Sequence, residues 1–117
     1  IRDSSNPKNE FEALEMIKKT VQENSLVVFM KGTAERPQCG FSRTVIQILH
    51  QYPKLNRFTT VDVLSNEEIR SAIKKYSNWP TIPQLFVKGE FVGGFVIVLD
   101  MFRNGSLTEL FEKEKLI

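Results

Sequence analysis

The 117-residue sequence predicts an α/β fold, a four-stranded mixed sheet flanked by helices on both faces. Three observations lead there. Helix-period and strand-like apolar patterns alternate as far as Tyr76. Residues 84–92 then read as a hairpin turning about Lys88-Gly89. A strand-helix-strand crossover requires parallel pairing and a hairpin requires antiparallel pairing, so one sheet holding both is mixed.

Each element has its own signal. Phe11, Leu14, Ile17 and Val21 recur at helical spacing behind Asn9, whose side chain is suited to cap a first helix, with Glu12 three positions on. Leu26-Val27-Val28-Phe29-Met30 is a short apolar run rich in β-branched residues, as a strand buried on both faces should be. Phe41, Val45, Ile46 and Leu49 form the apolar face of a second helix that carries Cys39 in its first turn and stops before Pro53. Residues 58–62 alternate as a strand. Ser65 with Glu68 then offers a capping box for a third helix whose inner face is Ile69, Ala72, Ile73 and Tyr76. After the hairpin, residues 95–102 and the segment behind Ser106 and Glu109 give two last helices, separated by Asn104-Gly105. Residues 10–117 are thus one domain, and residues 1–9 are expected to be a flexible extension.

Composition removes several function classes. A formal charge of +2, with its lysines and arginines scattered, is not the footprint of a nucleic-acid binder. The longest apolar stretches run to five residues, as at 95–99, far below the ~18 a membrane span requires, so no membrane partner is expected. The single cysteine, Cys39, has no intramolecular partner for a disulfide, which fits a reducing compartment. The first residue is isoleucine rather than methionine, so a processed or trimmed form is expected and no targeting segment is legible.

Cys39 is the residue that carries chemistry. A thiol at a helix N-terminus faces unpaired backbone N–H groups and the positive end of the helix dipole, and both favour the thiolate. Lys31, Arg36 and Arg43 are near enough in sequence to add a modest positive potential. A lone cysteine is most often a small buried hydrophobe. Pro37, Gly40 and the charged neighbours instead place this one in an exposed loop at a helix start.

The motif Cys39-Gly40-Phe41-Ser42 follows Lys31-Gly32-Thr33 and precedes residues 79–84, Trp-Pro-Thr-Ile-Pro-Gln, and then Gly93-Gly94. In that order these four separated motifs resemble the monothiol glutaredoxins of the CGFS type, over residues 11–116. The resemblance implies a thioredoxin-like fold and Cys39 as the active thiolate and cluster ligand. It also implies a cis peptide bond before Pro83, and glutathione lying along Thr81, Ile82 and Pro83 beside Lys31, Phe41, Arg70 and Gly93-Gly94. The physics agrees: a turned-out Ile82 backbone can accept an extended peptide as an added strand, Lys31 and Arg70 can meet a carboxylate, and glycines leave room for a ligand backbone. Without that ligand, Lys31 and Arg70 would be an ordinary solvated face and the glycine pair an ordinary turn.

Where the family usually continues with Cys-Asp after the glycine pair, this chain has Phe95-Val96. Val96 can neither cap a helix nor accept a hydrogen bond, so glutathione binding is expected to be weaker by ~1 to 2 kcal/mol.

One thiolate per chain sets the functional expectation. A [2Fe–2S] cluster normally takes four thiolates, so two copies of Cys39 and two glutathione thiols would complete one cluster at a homodimer interface. The resemblance implies carriage of such a cluster, transfer to iron–sulfur acceptor proteins and BolA-like partners. An alternative is weak, glutathione-dependent reduction of mixed disulfides by a one-thiol route, since Ser42 stands where a resolving cysteine would. A third is a binding domain whose thiol is incidental, with His50 and Trp79 serving only the fold. The single-domain form resembles organellar and bacterial members, which favours the mitochondrial matrix over the cytoplasm.

Overall fold

The computed structural model describes residues 6–55 and 57–117. Nine elements follow the expected order: α1 (Glu10–Glu23), β1 (Leu26–Met30), α2 (Gly40–Leu49), β2 (Thr59–Asp62), α3 (Glu67–Ser77), β3 (Gln84–Val87), β4 (Glu90–Gly93), α4 (Phe95–Asn104) and α5 (Ser106–Lys113). A 3₁₀ turn, Val63–Ser65, which the apolar pattern did not signal, joins β2 to α3. The strand order is β2-β1-β3-β4, with β1 and β2 parallel and the other two pairs antiparallel. This is the mixed, thioredoxin-like sheet the sequence predicts.

The period-2 alternation of β1 divides two cores. Val27 and Phe29 point to the face covered by α1 and α3, where Ile17, Val21, Ile69, Ile73 and Phe86 are buried with them. Leu26, Val28 and Met30 point to the other face, against Val45 and Leu49 of α2, Val98 of α4 and Phe111 of α5. Every residue of β1 is buried, as a central strand covered on both sides must be. No helix is long and apolar enough to cross a membrane among the described residues.

Local details depart from the expected ones. Asn9 does cap α1, its Oδ1 accepting from Glu12 N at 2.9 Å. Phe11, however, is 71% exposed, and Ala13 takes the buried place on that face. The helix meets α3 and β1 through a narrower stripe than the apolar pattern implied. Asn66 rather than Ser65 caps α3, accepting from Ile69 N at 3.0 Å, because the 3₁₀ turn has already taken up Ser65. Between α4 and α5 the acceptor for Ser106 N is Asn104 Oδ1 at 2.8 Å, not a Ser106 cap. Cys39 sits one step outside α2, as its N-cap.

Of the expected 1–9 extension, residues 1–5 lie outside the described residues. Pro7 is buried, and its carbonyl accepts from Asn66 Nδ2 at 3.2 Å, which ties the approach to α1 onto the start of α3.

Candidate functional site

The site forms at the C-terminal end of β1, where the chain leaves the sheet and must turn back into α2. Gly32 makes the turn with φ +90, and a Cβ there would lie 2.5 Å from the Arg36 carbonyl oxygen. Only glycine fits both the conformation and the space. The loop closes on itself: Thr33 and Arg36 exchange backbone hydrogen bonds at 3.1 and 3.2 Å, and Gln38 N donates to the Lys31 carbonyl at 2.8 Å. Asp62, at the end of β2, accepts from Gly32 N and Leu64 N, both at 2.9 Å, so β2 anchors this loop as well.

That loop delivers Cys39 in extended conformation at the N-terminus of α2, half-buried. Burial alone pushes its thiol pKa up. The N–H groups of Ser42 and Phe41, the Ser42 hydroxyl and the charge of Lys31 outweigh it, so the net shift is downward. These N–H groups face the sulfur without closing a full capping hydrogen bond. Among the described residues, Lys31 is the cation whose charge contributes to lowering the thiol pKa; Arg36 and Arg43, expected to add to it, are not among the causes of the shift. Ser42, which the sequence reading treated only as a missing cysteine, is fully buried, and its Oγ accepts from Lys31 N at 3.1 Å. Its own proton is thereby free to point at Cys39. The small polar residue one turn into an otherwise apolar helix face was the signal for it.

Beside the thiol lies a groove of about 200 Å³, bounded by Phe41, Thr81, Ile82 and Gly94, with Trp79 and the first turn of α4 (Phe95, Val96, Ile97) completing its walls. Phe41 and Phe95 close one side, their ring centroids 4.7 Å apart. The bond between Ile82 and Pro83 is cis, as expected. Among the described residues the backbone of Ile82 takes part in no hydrogen bond, which leaves its N–H and carbonyl available to an added strand.

Of the expected site residues, Phe41, Thr81, Ile82 and Gly94 line this groove, Lys31 and Cys39 share the adjoining loop, and Pro83 and Gly93 lie buried behind it. Arg70 is not in the lining; it sits on α3, 3.9 Å from the Glu67 carboxylate. The glycine pair acts differently from the expectation. A Cβ on Gly93 would lie 2.6 Å from Ile97 Cβ, and one on Gly94 3.0 Å from Trp79 Nε1 and 3.3 Å from the Pro83 carbonyl. The room they leave is taken by the chain's own Ile97 and Trp79. Gly40 differs, since a Cβ there would meet nothing within 4 Å and the space beside the thiol is open. Trp79, given a purely structural role only in the incidental-thiol alternative, is a wall of the groove. The N-cap of α4 is Gly94, which has no side chain to offer; Val96, where the capping residue was expected, is instead the second residue inside the helix and is 63% exposed.

No three His, Cys, Asp or Glu side chains converge on a metal-sized site among the described residues. Cys39 is the only cysteine in the sequence, so a single copy offers a cluster one thiolate. That donor fits a cluster whose other thiolates come from outside the chain.

Residues 26–92 match the family described as Glutaredoxin. An uncharacterized monothiol glutaredoxin of Synechocystis, ycf64-like, is 53% identical over 96 residues, covering 82% of this chain and 88% of that protein. The mitochondrial monothiol glutaredoxin-5 of Schizosaccharomyces pombe is 46% identical over 98 residues, covering 83% of this chain and 67% of that one. Among solved structures, the buckwheat glutaredoxin–glutathione complex aligns with a TM-score of 0.78 at 25% identity, covering 92% of this chain and 94% of that one. The chain belongs to the glutaredoxin family, among its monothiol members.

Proposed function

We propose that this chain carries a [2Fe–2S] cluster as cargo between two copies of itself, each contributing Cys39 and one bound glutathione, and passes it to acceptor proteins. The observation that carries this reading is a single thiol of lowered pKa at the start of α2, next to the open groove that Phe41 lines, in a chain with one cysteine. The arithmetic of four thiolates then calls for a second chain and two small thiols. Glutathione is the thiol we assign to the groove, supported by the buckwheat complex of the same fold. In that assignment the backbone of Ile82 pairs with the tripeptide, Thr81 and Pro83 flank it, Phe41 and Gly94 bound it, and Lys31 faces a carboxylate. Arg70 and Gly93 take supporting places at the periphery.

The chain's own residues do three things in this scheme. Ser42 and the N–H groups at the start of α2 lower the Cys39 pKa and so favour the thiolate that would ligate. Phe41 and Phe95 pack their rings together, centroids 4.7 Å apart, and form one wall of the groove. The apolar first turn of α4 offers a surface on which a second copy, a BolA-like protein or an acceptor can seat. Bound iron would supply the Lewis-acid centre to which those thiolates bind. The mitochondrial matrix is the compartment we propose, supported by the fission-yeast relative.

The same thiolate supports a second reading, glutathione-dependent reduction of mixed disulfides. Cys39 would attack the glutathione sulfur of a glutathionylated protein, expel the protein thiolate and form a disulfide with glutathione; a second glutathione would then release oxidised glutathione and restore the thiolate. With Ser42 at the resolving position, no two-thiol route is open.

Anaerobic reconstitution with iron, sulfide and glutathione separates the two. A coloured, glutathione-dependent dimer that is lost in Cys39→Ser supports the carrier. A colourless monomer that turns over mixed disulfides quickly supports the reductase instead.

A further inference from the structure

Gln84 opens β3 opposite Phe29 and, by strand alternation, points to the same face as Phe86, into the core beneath α1 and α3. It is fully buried. Its Nε2 donates two hydrogen bonds of 3.1 Å, one to the Trp79 carbonyl and one to the Thr81 carbonyl. Its Oε1 is buried and has no partner among the described residues. Turning the amide over would press that oxygen against both carbonyls, so the chemistry of the site fixes its orientation. A buried, unpaired acceptor costs free energy that a methionine of similar size would not. The two N–H bonds are what the amide provides in return.

Those bonds matter because little else holds the segment. Trp79 N donates to the Lys74 carbonyl at 3.1 Å, which secures the end of α3. From there to the start of β3, the two bonds from Gln84 are the only hydrogen bonds among the described residues. This is the stretch that forms one wall of the groove through Trp79, Thr81 and Ile82.

We propose that Gln84 is a positioning residue for the groove: its buried amide clamps the carbonyls on either side of Pro80 and so sets where Trp79 and the Ile82 backbone stand. The consequence for ligand affinity rests on the glutathione reading above; the clamp itself does not.

Trp79 is the chain's single tryptophan, so its fluorescence reports on the wall directly, in ligand-free protein. In folded Gln84→Met, with its thermal midpoint measured alongside, acrylamide quenching of Trp79 is expected to rise roughly twofold as the loop loosens. Glutathione affinity by calorimetry is expected to fall about tenfold, the loss of ~1.4 kcal/mol. Unchanged quenching in folded Gln84→Met, or unchanged affinity where the wild type binds glutathione, overturns the proposal. If the wild type does not bind glutathione, the reading of the groove falls, and the quenching result alone decides for or against the clamp. A third measurement needs no variant. The Gln84 side-chain amide protons of the wild type should exchange with solvent at least ~100-fold more slowly than those of a free amide, and exchange at the free rate overturns the clamp.

Discussion

Replacing Ser42 with alanine tests how the active thiol is held. The hydroxyl does two jobs: it accepts the Lys31 N–H at 3.1 Å, and it is one of the groups that lower the Cys39 pKa. Ser42 is fully buried and Lys31 half-buried, so water can only partly replace the lost acceptor. An unsatisfied N–H in such a place costs ~1 to 2 kcal/mol. Unfolding entropy of about 2.1 cal/mol/K per residue gives roughly 0.25 kcal/mol/K for a chain of this length, so the thermal midpoint should fall by about 4 to 8 °C. The second effect has a definite sign. Losing a donor to the sulfur disfavours the thiolate, so the midpoint of the pH profile for iodoacetamide alkylation should move up relative to the wild type. Calorimetric melting and alkylation rates across pH measure the two effects on the same preparation. A variant whose midpoint lies within ~2 °C of the wild type and whose alkylation profile is unshifted would refute the reasoning, because both roles of the hydroxyl would then be absent.

Three further outcomes are expected. Val96→Asp places an acceptor in the uncapped first turn of α4, and glutathione should bind about 5- to 30-fold more tightly by titration calorimetry, equivalent to ~1 to 2 kcal/mol; equal affinity would remove that argument. Gly93→Ala puts a methyl 2.6 Å from both Ile97 Cβ and Cγ2 and should destabilise by ~1 to 3 kcal/mol in chemical denaturation; adding Ile97→Ala removes Cγ2 but keeps Cβ, so only part of the loss should return, and a Gly93→Ala chain as stable as the wild type would refute the contact. For pH, the Cys39 pKa is lowered in the folded chain, so between that value and the ordinary thiol range the folded state binds fewer protons than the unfolded one. The stability of the wild type relative to Cys39→Ser should therefore increase as pH rises through this window and disappear as pH falls through the lowered value. Parallel urea titrations of the two proteins read that difference.

Sequence periodicity alone determined the order of the nine elements and the burial of β1 on both faces. The reason is physical: a strand covered on both sides must be apolar throughout, and amphipathic helices must show their 3.6-residue stripe wherever they pack. The position of Cys39 at a helix start was likewise legible, since glycine, proline and a lone thiol together mark a turn into a helix. The tertiary structure decided everything that depends on distance across the chain. Ser42 becomes a partner of both Lys31 and Cys39 only because β1 and α2 are folded against each other, and Asp62 reaches Gly32 only because β2 lies beside β1. Trp79 becomes a wall of the groove because Gly94, distant in sequence, leaves room for its indole. Arg70 lies outside the lining of the groove, because which helices border it is set by how they pack on the sheet; its i,i+3 neighbour Glu67 on α3 was, by contrast, readable from sequence. Residue type and spacing specify what a segment can become; which side chains meet is settled by packing between segments far apart in sequence.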